Sequence, residues 1–343
     1  MEAIKVAEGG TAELRRVALP RLRNDCIIVK VEAVALNPAD WKHIQMAVPG
    51  ATIGCDYAGY VVDVGLAVRS PLVKGDRVAG VTHGNNAGNI EDGCFAEYCV
   101  AKDGLQMRIP DDMSFEQAAT LGLGITTMSQ GLYTSLRLPL PTQPAQTPFP
   151  ILIHGGSTAT GSLAIQFAKL SGLTVVTTCS PHNFDYVLSL SADVVYDYRD
   201  PACAEKIRNS TQDSLEYVFD CVSEGQSPVL CANSISSRGG AISFLLPTAS
   251  PREDVESRRT IAYSVFGEEF PFGSLRIPAK SDDFKFGQEF WRLAEVIFRE
   301  GRAKVHRHEV RGGGLRGIFG GLQDLRESKV SGMKLVYVIG SRG

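Results

Sequence analysis

The stretch Pro150-Ile151-Leu152-Ile153-His154-Gly155-Gly156-Ser157-Thr158-Ala159-Thr160-Gly161 decides the fold of this chain. Its apolar run, bounded by a proline and two glycines, has the length and composition of a buried strand. A helix is expected next, from about Ser162 to Ser171, and then a second strand, Leu173-Thr174-Val175-Val176-Thr177-Thr178. Strand, glycine-containing turn, helix and strand make one βαβ unit. Backbone amides at a helix N-terminus, with little side-chain bulk around them, form a site for a pyrophosphate. Thr158 stands where the G-x-G-x-x-G fingerprint has its central glycine, so a plain tight turn is the alternative. The βαβ setting is what favours a dinucleotide.

Moving toward the C-terminus, strand patterns recur at Val194-Val195-Tyr196, Tyr217-Val218-Phe219-Asp220 and Ala241-Ile242-Ser243-Phe244-Leu245, with helical stretches between them. This alternation predicts an α/β fold with a doubly wound parallel sheet, whose ligands bind beyond the carboxyl ends of its strands. Asp283 to Glu300 reads as an amphipathic helix, with Phe286, Phe290, Leu293, Ala294 and Ile297 on one face, and Ser331 to Ile339 as a closing strand. Toward the N-terminus, the five prolines of Pro139 to Pro150 mark a surface spacer. Before it, Ser114 is a candidate N-cap. Ile27 to Val34, Tyr60 to Gly65 and Arg77 to Val81 are short β-branched runs, signs of a small, mostly antiparallel domain. The expected plan is 1–120 as the first part of a mostly β domain, 121–275 as the nucleotide domain and 276–343 returning to the first.

The second strand leads into Cys179-Ser180-Pro181-His182-Asn183, without the Asp or Glu that would accept from a ribose 2′-hydroxyl and repel a 2′-phosphate. Ser180, His182 and Asn183 are hydrogen-bond donors, which favours NADPH, although the segment has no arginine for a bidentate clamp. Ser180 to Asn183 also read as the N-cap of the next helix.

Composition limits the alternatives. A chain of 343 residues with 44% apolar content can fill two cores. A net charge of −3 gives no general attraction to nucleic acid or anionic membranes. No secretory leader and no long apolar span is read, so a soluble cytoplasmic protein is expected. The eight cysteines are scattered, without a Cys-x-x-Cys pair, and are expected to be reduced and mostly buried.

Asn37-Pro38-Ala39-Asp40-Trp41-Lys42, Gly54-Cys55-Asp56-Tyr57-Ala58-Gly59, Gly75-Asp76-Arg77-Val78, the GGSTATG turn, TCSPHNFD and Asp197-Tyr198-Arg199 together resemble the medium-chain dehydrogenase/reductases. More narrowly, the chain resembles fungal trans-acting enoyl reductases that serve iterative polyketide synthases, as in the lovastatin pathway. The resemblance covers essentially the whole chain. It implies a Rossmann domain set within a discontinuous GroES-like catalytic domain, NADPH as cofactor, a carrier-protein-bound enoyl thioester as substrate, and a monomer. It places cofactor contacts at Ala39, Asp40, Trp41, Lys42, Thr158, Ala159, Thr160, Gly161, Ser180, Pro181, His182, Asn183, Tyr198, Leu245, Leu246, Val330 and Ser331. The substrate channel would follow Thr127, Met128, Ser129, Gln130, Gly131, Leu132, Tyr133, Thr134 and Ser135. Related chains have Ala at the end of the phosphate turn, where this chain returns to Gly161.

Zinc alcohol dehydrogenases of the superfamily carry Gly-His-Glu where this chain has Gly54-Cys55-Asp56, and a four-cysteine lobe that is missing here. His43 and His83 have no partner at ligand spacing, so no metal is expected. Without a Lewis acid to stabilise an alkoxide, alcohol oxidation is poorly supported. An enoyl thioester is already electrophilic at its β-carbon. Its reduction needs alignment, stabilisation of enolate charge and a proton at the α-carbon. Lys42 is the catalytic candidate for the charge or the proton, with a simple cofactor contact as its alternative. Tyr57 and Thr127 are weaker candidates, and Asp56 and Asp76 read as structural. The basic run from Arg299 to Arg311 is a candidate docking face for an acidic acyl carrier domain of a polyketide synthase or polyketide–peptide hybrid synthase. A free-standing NADPH quinone or enone reductase and a non-catalytic NADPH-binding partner of a megasynthase remain as alternatives.

Overall fold

Alternating and continuous β-branched runs in the first third become strands in the computed structural model, which describes residues 1–340. A hairpin of β1 (Glu2–Ala7) and β2 (Thr11–Arg16) precedes β3 (Cys26–Ala35). β3 lies inside a seven-stranded sheet, which is why nearly all of its side chains are buried. Helix α1 (Pro38–Lys42) follows it, and then β4 (Asp56–Val64), β5 (Arg77–Val81), β6 (Tyr98–Lys102) and β7 (Gln106–Arg108), all antiparallel to their neighbours. Ser114 caps α2 (Phe115–Ala118), its Oγ accepting from the Gln117 amide at 3.2 Å, and α3 (Gly122–Ser129) comes next. Asp76 accepts from the Val73 amide at 2.9 Å and from Arg108 Nε at 3.1 Å, a loop brace, and the Tyr57 ring is wholly buried in the core.

A second unit, Thr127–Ala262, is built differently. Its strands β8 (Pro150–His154), β9 (Thr174–Cys179), β10 (Val194–Asp197), β11 (Tyr217–Asp220), β12 (Gly240–Phe244) and β13 (Val255–Arg259) are all parallel, in the order β10-β9-β8-β11-β12-β13. Counted from β8 this is the 3-2-1-4-5-6 order of a doubly wound sheet, with its switch point between β8 and β11. Helices α4 (Ala159–Leu170), α5 (Phe184–Ser189), α6 (Cys203–Ser210) and α7 (Ser227–Ser234) connect the strands. Leu152, Val218, Ile242 and Phe244 meet Ile207 and Cys231 in its core. The proline-rich spacer before β8 is irregular and mostly exposed.

The chain then returns to the first unit, which comprises Met1–Thr126 and the residues from Tyr263 onward. It adds the hairpin β14 (Phe270–Phe272) and β15 (Leu275–Ile277), helix α8 (Ser281–Arg299), β16 (His308–Arg311), α9 (Gly314–Arg326) and β17 (Lys334–Val338). β17 pairs antiparallel with β3, so sequence from both ends closes one sheet. The changeovers fall at 126/127 and 262/263, where 120/121 and 275/276 were expected. At the first, the Leu123 amide donates to Asp56 Oδ1 at 2.5 Å, tying the start of α3 to β4. At the second, the rings of Tyr263, Phe266, Phe270 and Phe272 pack with His43 and His83. No helix among the described residues is long and apolar enough to cross a membrane.

Candidate functional site

Most of the residues singled out from sequence fall into two groups, one on each unit. On the second unit the turn after β8 is pinned to the neighbouring strand. The Gly155 amide donates to Thr178 Oγ1 at 3.3 Å and the Gly156 amide to the Thr178 carbonyl at 2.9 Å. His154 Nδ1 shares a 2.7 Å hydrogen bond with the same Thr178 hydroxyl. Gly155 has φ +79°, and a Cβ on Gly161 would lie 2.2 Å from the Gly155 carbonyl oxygen, so the turn is closed to side chains at that point. Thr158 is the N-cap of α4: its Oγ accepts from the Gly161 amide at 2.9 Å and donates to the Gly155 carbonyl at 2.8 Å. The cap starts the helix at Ala159, three residues before the expected Ser162. The amides of Ala159 and Thr160, in its first turn, have no intrahelical acceptor and are available to an anion.

Two further strand ends lie on the same unit. Ser180 follows β9 and its hydroxyl lies 3.5 Å from that of Tyr198, which follows β10 and is exposed. Pro181 and His182 are exposed, whereas Asn183 is buried with Nδ2 3.2 Å from His182 Nε2. Beyond β11, Asp220 accepts from the amides of Val222 at 3.0 Å and Ser223 at 2.8 Å and from Ser227 Oγ at 2.8 Å. Ser223 Oγ then accepts from the Leu245 amide at 2.8 Å, which fixes the half-buried Leu245 and Leu246 after β12. Asp220 was not singled out from sequence; an acid ending a strand and followed by Ser223 and Ser227 was the available signal. A nicotinamide dinucleotide fits these residues: a turn whose glycines leave no room for a Cβ, helix amides for the pyrophosphate, and no carboxylate at the end of β9.

On the first unit, Asp40 is the hinge of the NPADWK segment. Its Oδ2 accepts from the Asn37 amide at 2.6 Å, and complete burial raises its carboxyl to about 7. It braces α1 from within, leaving Ala39, Trp41 and Lys42 half-buried, with the Lys42 ammonium 5.7 Å from the Trp41 ring centroid. The adjoining His43 Nδ1 lies 3.1 Å from the Tyr263 hydroxyl, which also lies 3.4 Å from Cys55 Sγ. Burial lowers His43 to about 4 and His83 to about 3, so both imidazoles are neutral near pH 7. Tyr263 escaped the sequence reading because the contact spans 220 residues.

Asp56 is paired with Lys334, whose Nζ also donates to Asn37 Oδ1 at 3.0 Å and to the Thr120 carbonyl at 3.3 Å. An ammonium thus stands between Asn37 and Asp56. No group of three or more His, Cys, Asp or Glu suited to a metal occurs among the described residues. The eight cysteines are unpaired, and burial raises the thiol of Cys55 well above its ordinary value.

The Thr127–Ser135 segment runs through the end of α3 into a π-helix, Gln130–Ser135. Met128, Leu132 and Tyr133 are core residues, and the Tyr133 hydroxyl lies 3.0 Å from Ser171 Oγ. Gly131 packs under the Phe219 ring, and only Thr134 is exposed. Val330 and Ser331 lie between α9 and β17, Val330 against the first unit's core and Ser331 exposed. In the basic run, Arg299 is 3.9 Å from Glu295 and Arg302 3.4 Å from Glu300, while Arg311 reaches Glu309 at 3.1 Å and Asp324 at 2.6 Å. Much of the positive charge expected there is cancelled by neighbouring carboxylates.

Known proteins agree with this architecture. The alcohol dehydrogenase GroES-like domain family matches residues 23–111, and the zinc-binding dehydrogenase family matches residues 159–258. A trans-enoyl reductase of Alternaria alternata, ACTTS2, is 46% identical over 98% of each chain. The trans-enoyl reductase resD of Aspergillus sclerotiorum is 45% identical over 97% of this chain and 98% of its own. Among solved structures, an alcohol dehydrogenase superfamily protein from Novosphingobium aromaticivorans superposes with TM-score 0.80 at 22% identity, covering 99% of this chain and 100% of its own. The CurK enoyl reductase superposes with TM-score 0.76 at 18% identity over 98% of each chain. The structural likenesses establish the fold; the close sequence relatives, spanning nearly the full length, establish the group. The chain belongs to the medium-chain dehydrogenase/reductase superfamily, among the trans-enoyl reductases, oxidoreductases that act on a carbon–carbon double bond with a nicotinamide cofactor.

Proposed function

We propose that this protein uses NADPH to reduce the α,β-double bond of an enoyl thioester held on the acyl carrier domain of a separate polyketide or polyketide–peptide synthase. The observation that carries the cofactor choice is the end of β9, where Ser180 and Tyr198 lie hydroxyl to hydroxyl and no carboxylate follows the strand. The names of the relatives support action in trans.

When bound, the cofactor supplies a hydride to the β-carbon. The turn after β8 and the first amides of α4 would hold the pyrophosphate, and Ser180 and Tyr198 would hold the adenosine side. Asp40 keeps α1 in place from its buried position, so that Lys42 presents a fixed cation. Its ammonium stabilises enolate charge on the thioester oxygen, an interaction stronger in the transition state than in the ground state.

The test follows consumption of the dihydronicotinamide with a crotonyl thioester on pantetheine and on a carrier domain, with quinones and NADH as comparisons. Carrier-bound thioester turnover with NADPH is expected. Lys42→Ala should lower kcat by roughly 10²–10³-fold, the usual size of one lost oxyanion donor, with NADPH binding little changed. Quinone turnover alone would reject the reading.

A further inference from the structure

The sequence around Ser180 offered no arginine, but the sheet brings one to it. Asp197, the last residue of β10, pairs in register with Cys179, the last of β9, so Tyr198 and Arg199 leave the sheet beside Ser180. Arg199 is anchored rather than loose. Its Nε donates to Asp197 Oδ1 at 3.0 Å and its Nη2 to Oδ2 at 3.1 Å, and its own amide donates to Oδ1 at 3.1 Å. The guanidinium stands 5.8 Å from the Tyr198 ring centroid, and the ring meets His154 edge-on at 6.3 Å.

A guanidinium has five N–H donors, so a fork that spends two on a carboxylate keeps three for a second anion. The Arg199 side chain is 57% exposed and the Asp197 side chain 27%, so the open edge faces solvent while the acid is the more covered partner. We propose that Arg199 is a specificity-determining residue, held by Asp197 beside Tyr198, that binds the 2′-phosphate of NADPH and cancels the carboxylate that would repel it. The proposal rests on the NADPH reading above. Asp197 then takes the part of a positioning residue. Without Arg199, its negative charge stands at the end of β10, next to the strand end where an acid selects a free ribose hydroxyl.

Calorimetric titration with 2′,5′-ADP and 5′-AMP separates the phosphate from the rest of the cofactor and needs no turnover. The wild type is expected to bind 2′,5′-ADP more tightly than 5′-AMP. Arg199→Ala should weaken 2′,5′-ADP about tenfold or more, the value of a charge-assisted hydrogen bond, and leave 5′-AMP unchanged. Arg199→Lys should recover only part of the loss, because it keeps the charge without the fork. Asp197→Asn removes a repelling charge but also part of the fork that aims Arg199, so it should change 2′,5′-ADP binding less than Arg199→Ala does. A wild type that binds the two nucleotides equally would overturn the NADPH reading and this proposal with it. A wild type that prefers 2′,5′-ADP, with Arg199→Ala unchanged, would overturn the proposal alone. Loss of 5′-AMP binding in Arg199→Ala would also count against it, since the residue would then be holding the strand end and not the phosphate.

Discussion

Lys334 is 3% exposed, and its ammonium is bound by Asp56, Asn37 Oδ1 and the Thr120 carbonyl. Three separate segments of the first unit meet on this one cation: the N-cap of α1, the start of β4 and the residue two before α3. The other Asp56 oxygen is occupied by the Leu123 amide at 2.5 Å, so the pair is well satisfied. Burying two charges costs desolvation that their attraction roughly offsets, so the net value of such a pair is small, but removing one partner strands the other. Lys334→Met is therefore expected to destabilise the protein by about 3–5 kcal/mol, read from urea unfolding. Adding Asp56→Asn should restore much of that loss. A single variant within ~0.5 kcal/mol of wild type would mean that water reaches the Asp56 carboxylate.

At the scale of elements, the strand-turn-helix of β8 and α4 depends on one cap. Thr158 replaces a glycine of the usual fingerprint, and its hydroxyl holds both sides of the turn together, between the Gly161 amide and the Gly155 carbonyl. Thr158→Ala should cost about 1 kcal/mol of stability and weaken cofactor binding as the amides lose their fixed direction, whereas Thr158→Ser should retain both. Equal thermal midpoints for Thr158→Ala and wild type would show that the cap is not needed. This region was legible in sequence because its information is local: apolar strands of five or six residues, a glycine turn and a largely apolar helix each announce themselves. The fold class and the parallel strands were readable for that reason. β13 was not, since Val255–Arg259 is largely polar and exposed on the sheet's edge. Nor was the π-helical segment, whose buried residues follow no helical stripe. Arg199 and Tyr263 were missed for a different reason: strand register and a contact 220 residues apart give them their neighbours, and neither is written in local pattern.

Across the whole molecule, buried titratable groups are unevenly shared, and this sets how it should respond to acid. In the first unit burial lowers His43 to about 4 and His83 and His306 to about 3, against about 6.5 in an unfolded chain. The folded state binds fewer protons at these sites than the unfolded state, so their contribution is complete above about pH 6.5 and lost as pH falls. Asp40 runs the other way. Raised to about 7 from an ordinary value near 3.9, it keeps its proton in the folded state, and its contribution is lost as pH rises from about 4 to 7. Near pH 5 to 6 the three imidazoles take up more protons on unfolding than Asp40 releases, a net uptake of about two, so stability falls by about 3 kcal/mol per pH unit. Around pH 7 the two effects nearly cancel. Unfolding followed from pH 7.5 to 5 should therefore show a flat region and then a steep fall. Asp40→Asn should steepen the fall toward ~4 kcal/mol per unit by removing the opposing group. The second unit has His154, also lowered by burial, pulling in the same direction. Amide exchange resolved along the sequence should accordingly lose protection in the first unit's sheet before the β8–β13 sheet as pH falls. Loss in the reverse order would mean that the imidazoles of His43, His83 and His306 are hydrated and titrate normally.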